Sequence, residues 1–238
     1  MGIEIDKNNI PKSIGIIMDG NRRWARNLGK KDVDGHKEGA ENIKRIARFA
    51  NNLGIKYMTV FAFSTENWKR AEEEVSALMF LFKKYLTDLL EIDSNVRVRV
   101  IGRREGLDKD LIKAIEKAEE KTKDRDGMCL NVALNYGGRD EIVNTTKKIA
   151  QKVLDGKIEV SDIDEALFAN NLYTAGQDDP DLLIRTSGEQ RTSNFLPWQL
   201  TYSEFYFPNK HWPEFDEDCL LEAIAEYQKR NRKFGGNK

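Results

Sequence analysis

The sequence predicts one α/β domain, residues 1–238, built on a mostly parallel six-stranded sheet with helices on both faces. Short apolar runs alternate along the chain with longer segments whose apolar residues recur at helical spacing. The first run, residues 14–18, is continuously apolar, which is typical of a strand buried on both faces of a parallel sheet. No repeat, low-complexity stretch or linker interrupts the alternation. Ligands of such sheets bind beyond the carboxyl ends of the strands.

The predicted elements follow one another closely. Strands are predicted at residues 14–18, 55–63, 96–101, 128–134, 182–185 and 202–207. The run 96–101 alternates strictly, as a half-exposed strand near a sheet edge does. Helices are predicted from about residue 22, at 37–53, 71–90, 107–123 and 140–154, in a short helix capped by Ser161, and at 216–229. Residues 30–36 and 64–70 are predicted to be polar loops, and residues 1–12 and 230–238 to be terminal tails.

Composition narrows the class of protein. The net charge of −1 argues against a nucleic-acid partner. Cys129 and Cys219 lie in apolar contexts without metal-ligand spacing, so we expect reduced core thiols. Residues 1–12 lack the apolar core of a signal peptide, and no apolar run is long enough to span a bilayer. A cytoplasmic protein is therefore expected.

The first strand ends in a group of polar residues. Asp19 follows the apolar run, Gly20 and Asn21 are turn formers, and Arg22 and Arg23 begin the next helix. Free amides and arginines favour an anion, and a carboxylate can hold a divalent metal that bridges to it. The stretch therefore indicates a metal-phosphate site, with an ordinary capped strand-to-helix turn as the alternative.

Polar residues also follow the other strands, and the carboxyl ends of parallel strands share one edge of a sheet. They are Ser64, Glu66, Asn67, Trp68 and Arg70 after the second strand, Asn135, Tyr136, Gly137, Gly138 and Arg139 after the fourth, Arg185, Ser187, Arg191 and Ser193 after the fifth, and Glu204 in the sixth. Arginine forks match phosphate oxygens, so two groups of arginines around two carboxylates suggest two phosphorylated groups. Surface ion pairs are the alternative for each arginine taken alone.

Helix 71–90 carries an unusually wide apolar face, which includes Leu78, Phe82 and Leu86. Such a face packs in a core or forms the wall of an apolar channel. The sequence has no GxxxxGKS or GxxxxGKT loop, no GxGxxG after the first strand and no GxSxG, so nucleotide hydrolysis and dinucleotide redox chemistry lose support. His36 and His211 lack zinc-site spacing, although His36 follows the first helix closely enough to reach the polar site at the carboxyl edge of the sheet.

Six motifs together resemble the cis-prenyltransferases, most of all the bacterial undecaprenyl diphosphate synthases, over nearly the whole chain. They are MDGNRRWA (18–25), GHKEGA (35–40), FAFSTENWKR (61–70), NVALNYGGRDEI (131–142), DLLIRTSGEQRTSNFLPWQ (181–199) and YSEFYF (202–207). The resemblance implies a Rossmann-like fold, an apolar tunnel above the sheet and a homodimer.

The resemblance also implies a reaction, in which an allylic diphosphate such as farnesyl diphosphate is extended by isopentenyl diphosphate units with cis double bonds. Asp19 would act through Mg²⁺, and Glu204 would serve the metal. The residues implied around the reacting atoms are Asp19, Asn21, His36, Ser64, Asn67 and Trp68. Those implied in substrate binding are Gly20, Asn21, Arg22, Arg23, Trp24, His36, Ser64, Glu66, Asn67, Trp68 and Arg70 for the allylic substrate and its reacting end, and Arg185, Arg191 and Ser193 for isopentenyl diphosphate. The tunnel residues implied are Ala62, Leu78, Phe82, Leu86 and Met128.

The sequence departs from the family pattern at four places. Asp32 replaces a common arginine, Arg22 replaces the glycine of many bacterial members, the loop at 91–95 is slightly shorter, and the C-terminal Arg-x-Gly signature reads Lys233-Phe234-Gly235. Lysine keeps the charge of arginine but loses its fork. These changes bear on the product more than on the class of reaction.

The leading hypothesis is a synthase of the long lipid carrier of the cell wall, in transient contact with the inner face of the membrane. The alternatives are an enzyme of the same fold that stops early or joins two five-carbon units irregularly, a non-catalytic subunit of such an enzyme, and a phosphate-binding regulatory module.

Overall fold

Six parallel strands form a single sheet in the computed structural model, which describes residues 3–90 and 95–231. They are β1 (Ser13–Ile17), β2 (Tyr57–Ser64), β3 (Arg97–Ile101), β4 (Cys129–Tyr136), β5 (Leu182–Arg185) and β6 (Glu204–Tyr206). Their order across the sheet is β3-β4-β2-β1-β5-β6, and every neighbouring pair is parallel. The predicted fold class is confirmed, and β3 lies at an edge as its alternating pattern predicted.

Seven α-helices connect the strands within the described ranges. They are α1 (Asn21–Asn27), α2 (Asp32–Asn52), α3 (Glu72–Leu90), α4 (Lys109–Thr122), α5 (Gly138–Leu154), α6 (Glu165–Ala169) and α7 (Glu217–Gln228). Short 3₁₀ turns occur at Thr65–Lys69, Val160–Asp162 and Trp212–Glu214. Across residues 3–90 and 95–231, no helix has the length and apolarity that crossing a membrane requires.

The core lies on both faces of the sheet because successive side chains of a strand point to opposite sides. Ile14 and Ile16 of β1 pack into a large cluster with apolar residues of α2, α3, α4 and α7. Ile17 belongs to a second cluster on the other face, with Leu183 and Phe195. The alternation along β1 therefore places the end of this strand between two packed layers.

Two predictions of local structure are wrong. Residues 32–36 are not loop, because α2 already begins at Asp32, and the Asp34 carboxylate accepts a hydrogen bond from the backbone N–H of Lys31 at 3.2 Å. Two acids in this first turn also suit the positive end of the helix dipole. Ser161 does not cap α6, because Asp164 does so by accepting from the N–H of Leu167 at 2.7 Å.

Asn42 of α2 holds a segment that passes close to the end of β1. Its side-chain amide donates to the carbonyls of Trp212 and Phe215 at 2.6 and 2.9 Å. The Trp212 indole donates to the carbonyl of Gly39 at 2.7 Å, and the Trp212 N–H donates to the carbonyl of Asp19 at 3.0 Å. Asn42 thus links α2 to the backbone that follows β1.

We expect Asn42→Ala to lower the free energy of unfolding by about 2 kcal/mol, because the two hydrogen bonds that the buried Asn42 amide donates are lost. Urea unfolding followed by circular dichroism measures this loss. Asn52→Ala is the matched control, since Asn52 is an exposed residue of the same helix. Equal urea midpoints for the two variants would contradict the prediction.

Candidate active site

A cavity of about 620 Å³ opens at the carboxyl edge of β1, β2 and β5. Its charged and polar lining consists of Asp19, Asn21, Arg22, Arg23, Arg26, His36, Ser64, Asn67, Arg70, Arg185 and Ser193. Its apolar lining includes Ile43, Phe61, Ala62, Phe63, Leu78, Leu81, Phe82, Leu86, Val132 and Trp212. A cavity that is ionic at one end and apolar at the other fits a substrate with a charged head and a hydrocarbon chain.

Asp19 and Arg185 form the ion pair at the centre of the charged end. The Arg185 guanidinium donates to the Asp19 carboxylate at 2.9 Å and to the Ser193 hydroxyl at 2.7 Å. Arg185 is only 4% exposed, so its charge needs these partners. Burial alone would raise the pKa of Asp19, but the hydrogen bond and charge of Arg185, the Gly20 amide and the charge of Arg23 together lower it. Asp19 is therefore ionised.

Gly20 makes the turn from β1 into α1 possible. Its φ is +98°, a left-handed conformation that side chains disfavour. A Cβ at this position would lie 2.0 Å from the Ser187 hydroxyl oxygen, so no other residue fits without moving its neighbours. The Asp-Gly pair of the sequence motif is thus required by backbone geometry.

Glycines also allow α2 to approach the start of α1. A Cβ at Gly35 would lie 2.1 Å from the carbonyl oxygen of Asn21, and one at Gly39 would lie 2.4 Å from its side-chain oxygen. Spaced four apart, the two glycines share one face of α2. They place His36 in the cavity opposite α1.

A second ionic group joins α1, α2 and α3 at the mouth. Arg22 and Arg70 both contact the same oxygen of Glu74, at 3.5 and 3.1 Å. Asp32 accepts from Arg22 at 2.7 Å and from Arg26 at 2.8 and 2.9 Å. The hydrogen bond from Arg26, opposed by burial and helped by Arg22, lowers the pKa of Asp32 to about 2. The acid that replaces the family's arginine is therefore neutralised by arginines of α1.

His36 faces the cavity in its neutral form. Burial lowers its pKa, and the charge of Arg70 lowers it further. Its Nε2 is buried and has no hydrogen-bond partner among the described residues, and the same holds for the side-chain oxygen of Asn21. Two unsatisfied polar atoms lining one cavity suit a polar ligand.

Four of the residues implied in catalysis or substrate binding do not line the cavity, and neither do Ser187 and the polar residues 135–139 that were expected at this edge. Trp68 donates from Nε1 to the Asn135 side chain at 2.8 Å, and Glu66 accepts from Asn194 at 2.9 Å. Arg191 pairs with Glu189, and Trp24 lies under the Lys30 ammonium at 4.9 Å. The Asn67 side chain does line the cavity, and it accepts from the N–H of Ser64 at 3.0 Å.

Two more predicted residues lie at the opposite edge of the sheet. Glu204 is the first residue of β6 and pairs with Leu182, the first residue of β5, whereas Asp19 follows the end of β1. Its carboxylate accepts from Arg230 at 2.7 Å. The expectation that Glu204 joins Asp19 at the mouth is thus wrong within a single chain. Met128, expected at the tunnel floor, is buried just before β4 and does not line the cavity.

Asp19 is the one predicted metal ligand that the cavity contains, and no group of three His, Cys, Asp or Glu residues in the described ranges could enclose a metal. Mg²⁺ commonly binds through one or two carboxylates together with substrate phosphates and water. An ionised Asp19 beside arginines fits this mode. Residues 91–94 and the Lys233-Phe234-Gly235 motif lie outside the described residues.

Sequence reasoning missed several residues of the site. Glu74 lies four positions after Arg70 on a helical pattern, a spacing that indicates an ion pair. Glu189, which also contacts Arg23 at 3.1 Å, has no comparable signal. Trp212 reaches the cavity from far along the chain, and nothing in its neighbourhood indicates this.

The fold and the cavity define a class: an enzyme that holds phosphorylated, partly apolar substrates at the edge of a parallel sheet. A family model described as undecaprenyl diphosphate synthase matches residues 17–235. The isoprenyl transferase of Bacillus subtilis (strain 168) is 50% identical over 235 residues, which is 98% of this chain and 90% of that protein.

Two solved structures share the fold. One is lavandulyl diphosphate synthase from Lavandula x intermedia in complex with dimethylallyl diphosphate, with a TM-score of 0.93, 40% identity and coverage of 96% of this chain and 100% of that one. The other is a probable undecaprenyl diphosphate synthase from Campylobacter jejuni, with a TM-score of 0.80, 33% identity and the same coverage.

The chain belongs to the undecaprenyl diphosphate synthase family of cis-prenyltransferases. It is a prenyltransferase of a family that carries out cis-prenyl chain elongation, and the substrates this family implies are allylic and isopentenyl diphosphates, used with a metal cofactor. The hypotheses of a non-catalytic subunit and of a regulatory module are therefore set aside.

We expect the stabilising effect of Asp32 to depend on pH. Asp32 titrates near 2 in the folded chain, below its ordinary value of 3.8, so its ion pairs stabilise the fold above about pH 4. This stabilisation is lost as the pH falls through about 2. Urea midpoints of wild type and Asp32→Asn should differ at about pH 6 and converge in acid. A difference that stays constant over this range would contradict the assignment.

Proposed function

We propose that this chain extends farnesyl diphosphate with successive isopentenyl diphosphate units to a long polyprenyl diphosphate of the undecaprenyl type. The supporting observation is the cavity itself, which joins the Asp19–Arg185 ion pair to an apolar wall that includes Leu86. A diphosphate fits the charged end, and a growing hydrocarbon fits the apolar end.

The allylic diphosphate would bind at Asp19, the Gly20 amide and the arginines of α1 and Arg70. Breaking the allylic C1–O bond leaves the bonding electrons on the diphosphate, and nearby cations stabilise that developing charge. Mg²⁺, held by Asp19 and phosphate oxygens, would supply further positive charge to the leaving group. Arg22, Arg23 and Arg70 all line the cavity, where their guanidinium groups would supply that positive charge.

Isopentenyl diphosphate would bind at Arg185, Arg191 and Ser193. Arg185 touches both Ser193 and Asp19, so the two diphosphate subsites meet at one guanidinium. Holding the two substrates at adjacent subsites brings the allylic carbon and the alkene into contact. Arg191 donates from its side chain to Glu189, and its backbone carbonyl accepts from Arg185 at 2.5 Å.

In the proposed step, the alkene of isopentenyl diphosphate attacks allylic C1, the diphosphate leaves, and a proton is lost from C2 of the incoming unit. Asn21, His36 and Ser64 line the cavity around the position of these atoms. The lowered pKa of His36 keeps its imidazole neutral, so that Nε2 can accept a proton. The apolar lining keeps water from the carbocation.

The growing chain would lie along β2 and α3. Ala62 of β2 and Leu78, Phe82 and Leu86 of α3 line the apolar part of the cavity. Ala62 leaves space close to the charged end, where the chain must pass. The proposed tunnel therefore contains these four residues and does not contain Met128, which does not line the cavity.

A second candidate is an enzyme of the same fold that makes a short or irregularly coupled product. It is favoured by the similarity to lavandulyl diphosphate synthase, at a TM-score of 0.93 and 40% identity. Mass spectrometry of the product separates the two candidates, since only the first gives chains of many five-carbon units.

We also propose a homodimer that contacts the membrane transiently. Val143, Leu154, Val160 and Ile163, on α5 and just after it, are exposed apolar side chains, which would supply the apolar part of a dimer interface. Transient contact of a cytoplasmic enzyme with the inner face of the membrane follows from a product whose long hydrocarbon chain favours lipid.

We expect Asp19→Ala to lower the rate of chain elongation by about 100-fold or more, because the developing charge loses its stabilisation. Incorporation of labelled isopentenyl diphosphate with farnesyl diphosphate and Mg²⁺ measures the rate. Asp110→Ala is the matched control, since Asp110 is exposed and pairs only with Lys83 among the described residues. A wild-type chain without extended product, or a variant as fast as wild type, would refute the proposal.

We expect Ala62→Leu to shorten the product by at least one five-carbon unit, because the larger side chain fills part of the cavity. Mass spectrometry of the dephosphorylated product gives its length. Ala71→Leu adds the same atoms at an exposed position that does not line the cavity, and should leave the length unchanged. Identical product lengths for wild type and Ala62→Leu would exclude this path for the chain.

A further inference from the structure

Ser187 and His211 meet directly behind the turn that carries Asp19, and the proposed reaction uses neither of them. The Ser187 hydroxyl oxygen and His211 Nδ1 are 2.7 Å apart and share a hydrogen bond. We propose that this pair positions the Asp19 carboxylate against Arg185 for catalysis. The inference rests on the proposed function, in which Asp19 acts on the allylic diphosphate.

The backbone around the pair connects it to Asp19. The N–H of Ser187 donates to the carbonyl of Lys210 at 2.8 Å, so the segments before β6 and after it run side by side. The Asp19 carbonyl accepts from the Thr186 hydroxyl at 2.7 Å and from the Trp212 N–H at 3.0 Å. Each donor is the sequence neighbour of one member of the pair. Movement of Ser187 or His211 is therefore passed to the Asp19 backbone.

The pair also fills the space behind Gly20. The position that a Cβ of Gly20 would take lies 2.0 Å from the Ser187 hydroxyl oxygen and 2.6 Å from His211 Nδ1. The Asp19–Gly20 turn cannot relax backwards while both side chains are present. Without them the turn gains room, and a shift of about 1 Å in a reacting group can cost about 100-fold in rate.

Ser187 has a strained backbone conformation at the point where it makes this contact. Its φ is +72°, a left-handed conformation that is unfavourable for a residue with a side chain and costs glycine nothing. Strain of this kind persists where the surrounding structure holds it and is concentrated at functional sites. A glycine at 187 would remove the strain, but it would also remove the hydroxyl that packs on Gly20.

The pair positions and does not itself react. Neither Ser187 nor His211 lines the cavity. Within the part of the chain that the structure describes, the His211 ring bonds only Ser187 and no carboxylate, so the pair is not the start of a hydrolytic triad.

The test compares kcat and KM of variants with farnesyl diphosphate, isopentenyl diphosphate and Mg²⁺. Ser187→Gly and His211→Ala should each lower kcat about tenfold, the scale seen when a partner of a ligating residue is lost. Both KM values should stay within about twofold, because the binding groups remain. His211→Asn places an amide near the position of Nδ1 and should recover most of the rate.

Stability separates positioning from a purely structural role. Ser187→Gly should melt at or above the wild-type temperature while turning over slowly, because it relieves strain. A crystal structure of this variant should show Asp19 and Arg185 farther apart than the present 2.9 Å. The Ser187→Gly, His211→Ala double variant should be no slower than either single variant, because the two residues act as one unit.

Thr145→Val is the matched control, since it removes a buried hydroxyl on α5, which donates to the Asn171 carbonyl at 3.3 Å, and should change only stability. A Ser187→Gly variant with wild-type kcat, or losses that add in the double variant, would overturn the inference while leaving the proposed function intact. Absence of extended product from the wild-type chain would refute the proposed function, and with it the inference that rests on that function.

Discussion

The ion pair between Asp19 and Arg185 is the interaction on which the site depends. β1 and β5 are neighbours, and Ile17 lies opposite Arg185. The Asp19 carboxylate, which follows β1, therefore meets the Arg185 guanidinium at the carboxyl ends of two adjacent strands. Arg185 is buried, and a buried charge left without its partner costs about 3–5 kcal/mol. The pair therefore stabilises the junction of the two strands, and in the proposed reaction it is also where the two diphosphates meet.

Sequence patterns predicted the buried parts of the fold well, because continuously apolar strands carry a strong signal. β5 spans the predicted residues 182–185, and β1 differs from its prediction by one position at each end. The start of α2 was missed because its first turn holds few apolar residues. What makes that turn helical is the Asp34 cap together with the ion pairs between Asp32 and α1, and these depend on tertiary contact.

The candidate site was predictable for Asp19, Ser64 and Arg185, which lie at the ends of β1, β2 and β5, but not for Glu66, Trp68 and Arg191, which follow β2 and β5 without lining the cavity. It was not predictable for Glu204, because the register of β6 against β5 decides at which edge of the sheet this residue lies. Glu204 occupies the first position of a three-residue strand, and no sequence pattern indicates that register. Partners distant in the chain were missed for a related reason. Ser187 and His211 are 24 residues apart, and their hydrogen bond is created by two segments that pair through backbone groups.

The arginines at the mouth are already neutralised inside the protein. Arg22 and Arg70 share one oxygen of Glu74, and Asp32 takes the remaining contact of Arg22. Binding of a diphosphate is then an exchange of one anion for another, so the gain in Coulomb energy is only the difference between two ion pairs. Because Glu74 lies in the first turn of the helix that forms the apolar wall, releasing it would also free one end of that wall. Binding of an anion at the charged end would thus loosen the first turn of α3, the helix along which a lengthening chain must fit.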